Sequence, residues 1–96
     1  MIMTVRVQSV PPQQMDEVVR RVDLQWLEKI RAAPGFVSSY VLRRGDDQLV
    51  FLTAFLDESS AHNGIETSAE WFGQWFMDID AQPPELWDAP VVTHTG

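Results

Sequence analysis

Two tryptophans, Trp71 and Trp75, have the type and spacing that best suit the binding of an aromatic molecule. They are four residues apart, so on a helix they share one face, and Phe72 lies beside them. Buried indole N–H groups need hydrogen-bond partners, which suits a pocket with polar guests. The same cluster also fits an ordinary helix core, and the spacing leaves both interpretations open.

Arg6 and His62 are the side chains placed to bring charge or proton transfer to such a pocket. Arg6 interrupts an apolar strand pattern, where it either binds an anion or pairs with an acidic residue across the sheet. His62 precedes the second helical segment. An imidazole titrates near neutral pH, which suits a general base, although a lone loop histidine is commonly structural or solvated. Arg6, His62 and Trp71 are the catalytic candidates.

Two more aromatic residues, Tyr40 on the second strand and Trp26 on the first helix, are within reach of the same cavity or belong to the core. Asp78 and Asp80 resemble a carboxylate pair, but residues two apart on a helix diverge, so no metal site is predicted. The predicted substrate-binding set is Trp71, Trp75, Phe72, Tyr40 and Trp26. The sequence contains no Ser-His-Asp set, glycine-rich phosphate loop or metal-ligand spacing.

Composition narrows the classes of partner. The chain has 96 residues, a formal charge of −7 and no cysteine. The length fits one domain spanning residues 1–96, and the acidity argues against nucleic acids and anionic membranes, which both require clustered Lys and Arg. No apolar run approaches the ~20 residues of a membrane-spanning helix, and the N-terminus lacks signal-peptide features. A cytoplasmic location is the expectation.

The hydropathy pattern predicts two helices and four strands. Alternation marks strands, a three- and four-residue apolar period marks helices, and Pro34-Gly35 ends the first helix. Residues 57–64 are polar and are predicted as a loop. The predicted strands are 4–10, 36–44, 48–56 and 86–95, and the predicted helices run from residue 13 to the Pro34-Gly35 pair and over 67–79.

This order gives an α+β fold of the ferredoxin-like βαββαβ type, with both helices on one face of an antiparallel sheet. The third strand is apolar on both sides, since Leu49, Phe51 and Phe55 alternate with Val50 and Leu52. Two helices cover only one side, so the other side is predicted to pack on a second copy in a homodimer. The alternative is that the C-terminal segment folds over it.

This layout, the Ala33-Pro34-Gly35-Phe36 junction and the aromatic second helix resemble the antibiotic biosynthesis monooxygenase (ABM) domains. The resemblance covers nearly the whole chain and implies a dimeric α/β barrel with an apolar pocket between helices and sheet in each subunit. Some members oxidise polycyclic phenols with O₂ and no cofactor. The resemblance then implies that Trp71 or Trp75 holds the phenolate and that Arg6 stabilises the anion.

A related branch of the family binds and degrades haem. Its members carry an asparagine on strand one, and a tryptophan and a histidine ligand in the second helical region. Here Arg6 takes the asparagine position, and no histidine follows Thr67 before His94 in the C-terminal tail. The expectation is therefore a protein with no cofactor, and haem is disfavoured.

Three functional hypotheses remain open at this point. The first is a small cofactor-independent monooxygenase acting on an aromatic or phenolic molecule. The second is a non-catalytic dimeric protein that binds an apolar metabolite in the same pocket. The third is a dimerisation domain whose core is filled. The sequence does not decide whether the chain is an enzyme.

Overall fold

A four-stranded antiparallel sheet forms the centre of the computed structural model, which describes residues 1–96. Its strands lie in the order β2-β3-β1-β4, so β1 and β3 are central and β2 and β4 are edges. The α+β ferredoxin-like fold predicted from the sequence is confirmed. The strands are β1 (Ile2–Ser9), β2 (Phe36–Arg44), β3 (Gln48–Phe55) and β4 (Glu85–Pro90).

The first helical segment follows a short 3-10 turn (Pro12–Gln14) and contains one wider turn. It runs through α1 (Met15–Arg21), a π-helical turn (Val22–Trp26) and α2 (Leu27–Arg31). Its buried residues Val18, Val22, Trp26 and Ile30 repeat every four residues. Because an α-helix has 3.6 residues per turn, that repeat would drift around it by about 40° per step. The wider π turn winds more slowly and offsets the drift, which keeps the four side chains on the sheet.

The second helix, α3 (Glu58–Trp75), begins nine residues earlier than the predicted start at residue 67. Asp57 caps it, since its Oδ1 accepts a hydrogen bond from the Ser60 backbone N–H at 2.8 Å. Residues 58–64 are therefore helical, not a loop. The helix ends at Trp75, short of the predicted Ile79. The last strand is shorter than predicted because its pairing with β1 ends at Pro90.

Both helices cover the same side of the sheet, as predicted. The core on that side includes Leu49, Phe51 and Phe55 of β3, each at most 2% exposed. Glycines permit two of the close approaches. Gly35 has a φ of 73°, and a Cβ there would overlap the Ser60 side chain of α3; a Cβ at Gly64 would overlap the ring of Phe55. Neither helical segment has the combination of length and hydrophobicity that a membrane-spanning helix requires.

The other side of the sheet is apolar and carries no helix. The register places side chains from all four strands on it: Val5, Val7, Tyr40, Leu42, Val50, Leu52 and Trp87. Tyr40, Leu42 and Trp87 are 63%, 48% and 51% exposed. With the C-terminal residues 91–96 in place, six of these seven side chains remain at least partly exposed and only Val5 is buried, so the C-terminal segment does not cover this surface.

The two glycines of α3 provide a matched test of the helix–sheet contact. Gly64→Ala is expected to lower the free energy of unfolding by about 1–3 kcal/mol, because the methyl group would press on a buried ring. Gly73→Ala meets no atom within 4 Å and is expected to raise stability by about 0.5–1 kcal/mol. Urea denaturation measures both changes, and equal effects at the two positions would contradict this packing.

Candidate functional site

Arg6 is the one charged side chain of β1, and it points toward the helices. Its neighbours in the sheet are Phe51 on β3 and Leu86 on β4. Strand alternation puts Arg6 on the helix-facing side with Thr4 and Gln8. Its guanidinium carbon lies 3.9 Å from the centroid of the Phe72 ring of α3, a cation–π contact.

The guanidinium of Arg6 has fewer partners than its five donors require. Nη2 donates to Gln8 Oε1 at 3.3 Å, and Gln8 is fixed in turn by donating to the Gln82 carbonyl at 2.7 Å. Nε is buried with no hydrogen-bond partner, and no carboxylate forms an ion pair with Arg6. Desolvation lowers the pKa of Arg6 to about 10, so it remains a cation at neutral pH.

A small cavity of about 20 Å³ lies beside Arg6. This is room for about one water molecule. Polar and apolar groups of both layers line it: Thr4, Arg6, Trp26, Phe51, Thr53, Ile65, Ser68 and Leu86. The cavity can therefore offer a cation and several hydroxyl groups to a small guest.

Hydrogen bonds fix most of the polar groups around this cavity. Trp26 Nε1 donates to Ser68 Oγ at 3.3 Å, which joins the first helix to α3. Thr4 Oγ1 donates to the Thr53 carbonyl at 3.2 Å, and the Thr53 hydroxyl shares a 2.9 Å hydrogen bond with Ser39. Arg6 Nε is the one fully buried side-chain polar atom left without a partner, so Arg6 offers unused donor capacity to the site.

The two tryptophans predicted to hold a ligand lie apart from Arg6. Trp71 is 4% exposed and packs edge-on against Phe72, with ring centroids 5.1 Å apart. Trp75, the last residue of α3, is 46% exposed and lines a separate surface groove with Arg21. Neither lines the Arg6 cavity. Phe72 contacts Arg6 from within the core, and Trp26 lines the cavity directly.

The other candidates do not reach this cavity. His62 is exposed on α3, and His94 is exposed near the C-terminus. Tyr40 is on the opposite side of the sheet from Arg6. Asp78 forms an ion pair with Arg21 at 2.7 Å, which lowers the pKa of Asp78 to about 2. No group of three or more His, Cys, Asp or Glu residues is arranged to hold a metal.

The sequence gives no sign that several of the cavity residues lie near Arg6. Ser68, Ile65 and Leu86 come from α3 and β4, and only the tertiary fold brings them together with β1. The one available signal was the alternation of Thr4, Arg6 and Gln8, which gave a polar side to a strand that faces a helix layer. That signal identifies β1 as part of the site but not its partners.

The fold matches solved structures over the whole chain. MhuD, a heme-degrader from Mycobacterium tuberculosis with two hemes in its active site, superposes with a TM-score of 0.79 at 16% identity, covering 100% of both chains. A monooxygenase from the gene ActVA-Orf6 of Streptomyces coelicolor, bound to Nanaomycin D, gives 0.75 at 18% identity, covering 99% of this chain and 91% of that one. Other similar chains are described as antibiotic biosynthesis monooxygenases. The chain has the ABM-like fold.

A dimeric ferredoxin-like protein from an uncultured marine organism also matches this chain, with a TM-score of 0.75 at 9% identity, covering 98% of this chain and 96% of that one. No protein-family model matches the sequence, and no curated protein matches it. At these identities the likeness establishes the fold, and it confirms the ABM resemblance at that level.

Whether the buried charge of Arg6 lowers the stability of the fold can be tested by substitution. Arg6→Met keeps the length of the side chain and removes the charge, so we expect the free energy of unfolding to stay level or rise by about 1 kcal/mol. Arg31→Met, at an exposed pair with Glu28, is the control and should change it by less than about 0.5 kcal/mol. A loss above about 2 kcal/mol for Arg6→Met in urea denaturation would instead make Arg6 a structural residue.

Proposed function

We propose that the chain is a small cofactor-independent monooxygenase of the ABM type. Its substrate would be an aromatic or phenolic molecule held between helices and sheet. The observation that supports this is the Arg6 cation, mostly buried in the helix–sheet layer with Nε unpartnered and no carboxylate nearby. Such a cation favours the anionic form of a bound phenol, because a desolvated charge is most stable beside an opposite charge.

The chemistry requires only the substrate and O₂. Removing a proton from a phenol or an anthrone gives an electron-rich anion that can reduce O₂. For an anthrone, the ring CH₂ group and one O₂ become a ring carbonyl and one water, so the substrate supplies every electron. Arg6 would stabilise the anion, and the Trp26–Ser68 pair would border the ring.

Room for a substrate must come from movement of side chains. Small-molecule pockets have volumes of roughly 300 Å³ or more, whereas this cavity has about 20 Å³. Ile65 and Leu86 line it, and Phe72 covers Arg6. A second candidate function is therefore a dimerisation domain with a filled core, and the small cavity is the observation that favours it.

Haem fits these residues poorly. The cavity offers an arginine, hydroxyls and an indole, and no histidine lines it. His62 is exposed on α3 and His94 is exposed in the tail, so neither is placed to bind an iron between helices and sheet. The residues of this cavity therefore do not support haem-dependent chemistry.

We further propose that the chain works as a homodimer joined through the helix-free side of the sheet. Tyr40, Leu42 and Trp87 are large and exposed there, around Val50 and Leu52 of the central strand. Burying such a surface yields roughly 25 cal/mol per Å², and stable interfaces remove about 1,200 Å² or more from water. A second copy covers it with the same apolar side chains.

The dimer proposal predicts how single charges act. Leu52→Lys is expected to give monomers in size-exclusion chromatography with light scattering at micromolar concentration, because it buries a charge at the centre of the interface. Met77→Lys is the matched control, since Met77 is 86% exposed beyond the end of α3, and it should remain dimeric. A monomeric wild-type protein would refute the proposal.

Oxygen uptake tests the proposed activity. With a panel of anthrones and quinols, we expect uptake by the wild type and a loss of about 100-fold in kcat/KM for Arg6→Met, equal to about 2.7 kcal/mol of transition-state stabilisation. Arg31→Met should match the wild type. Tight binding of the same molecules without uptake would point to a binding protein, and neither binding nor uptake to a dimerisation domain.

A further inference from the structure

We propose a second ligand site, separate from the Arg6 cavity, that accepts a small cationic molecule with an apolar body. It lies between the first helical segment and the edge strand β2. The open cavity there has a volume of about 530 Å³, within the roughly 300–1,000 Å³ typical of small-molecule sites. It shares no lining residue with the Arg6 cavity.

The floor of this cavity is apolar and buried. Val22 and Leu49 line it and are 3% and 1% exposed, so the floor belongs to the core of the protein. Leu27 and Val41 extend it and pack on the same core. A hydrocarbon or aromatic group in this position would displace water from the partly exposed side chains of Val19, Leu27 and Val41.

The π-helical turn builds one wall. Val22 and Asp23 of that turn line the large cavity, and Trp26 of the same turn lines the Arg6 cavity. π-Helical turns are rare and are frequently found at functional sites. Here the turn places Asp23 beside a cavity with an apolar floor. Asp23 is not part of the Arg6 cavity.

The charges around the cavity favour a cation. Arg20 lines it but is bound by the Glu17 carboxylate, with Nε 3.0 Å from Oε2. Arg43 lies 3.9 Å from Asp16 and donates to the Gly45 carbonyl. Each of these two arginines is therefore neutralised by a neighbouring carboxylate.

The Asp23 carboxylate, in contrast, forms no ion pair within 4 Å. One negative charge is therefore left at the cavity, on a chain whose formal charge is −7. An acidic surface raises the local concentration of cations, and a carboxylate beside an apolar floor suits an ammonium group carried on a hydrophobic body.

A matched set of probes tests this site in the full chain. Benzyltrimethylammonium carries an aromatic body and a fixed positive charge, benzyl alcohol is its neutral counterpart, and benzenesulfonate carries the opposite charge. We expect the cation to shift backbone amide resonances of residues 22–27 and 39–43 in NMR titrations. Its affinity should exceed that of benzenesulfonate by about tenfold, in line with one charge interaction.

Three variants separate the contribution of the Asp23 charge from that of the cavity volume. Asp23→Asn is expected to weaken binding of the cation about threefold to tenfold and to change benzyl alcohol binding less than twofold. Glu70→Gln, which removes the same charge from an exposed position on α3, should leave both affinities unchanged. Val19→Trp, at a lining residue that is 39% exposed, should fill the cavity and abolish the shifts.

Several results would overturn the proposal. They are the absence of any shift with the cation, shifts confined to the Ile65–Ser68 region of the Arg6 cavity, or stronger binding of benzenesulfonate than of the cation. Equal loss of cation affinity in Asp23→Asn and Glu70→Gln would reduce the effect to the overall charge of the chain and would also reject a specific site. None of these outcomes depends on whether the protein consumes oxygen.

Discussion

The central strand β3 imposes the constraint on which the rest of the structure depends. Leu49, Phe51 and Phe55 on one side of it form the core with the helices, while Val50 and Leu52 on the other side meet no helix. The chain has only enough helix for one layer, so the other side of its apolar sheet carries no helix. The helix layer packs tightly on the sheet beside Arg6, where the cavity has about 20 Å³, and less tightly beside β2, where it has about 530 Å³.

Most helices and strands lie where the sequence predicts them, because residues at their ends decide the local conformation. Strand β2 has the predicted bounds because Pro34-Gly35 precedes it and Gly45, with a φ of 64°, turns the chain after it. The start of α3 was misplaced because Asp57, Glu58 and Ser60 are as common in turns as in helix caps. Only the hydrogen bond from the Ser60 N–H to Asp57 distinguishes the two.

The site was less predictable than the fold, for a physical reason. Arg6 stands out in the sequence as a charge within an apolar strand. The hydroxyl of Ser68 becomes relevant only because α3 packs it against Trp26, and residue type gives no sign of that contact. Trp75 shows the opposite case: it lies within α3, four residues after Trp71, yet it is 46% exposed whereas Trp71 is buried. Helical spacing predicts a shared face, but tertiary packing decides how much of each side chain on that face is covered.

The structure places two different electrostatic settings on either side of one helical turn. Arg6 is a cation in a nearly closed space, and Asp23 is an anion at the edge of an open one. The π turn serves both, because it keeps Trp26 over Phe51, with ring centroids 5.0 Å apart, while Val22 stays on the core. Opposite charges in separate cavities would let one small domain discriminate between guests of opposite sign.

The close approach of Ser60 to Gly35 shows that a short sequence motif can be required by tertiary packing as well as by local structure. The pair Pro34-Gly35 looks like a local device that ends a helix, yet the absent side chain at residue 35 is what admits Ser60 from the other helix. The Gly35 carbonyl also receives the Leu56 N–H at 2.8 Å, just before that helix begins. A dipeptide that the sequence presents as a helix terminator is thus also required for the packing of a segment twenty-five residues away, which links a local pattern to the tertiary fold.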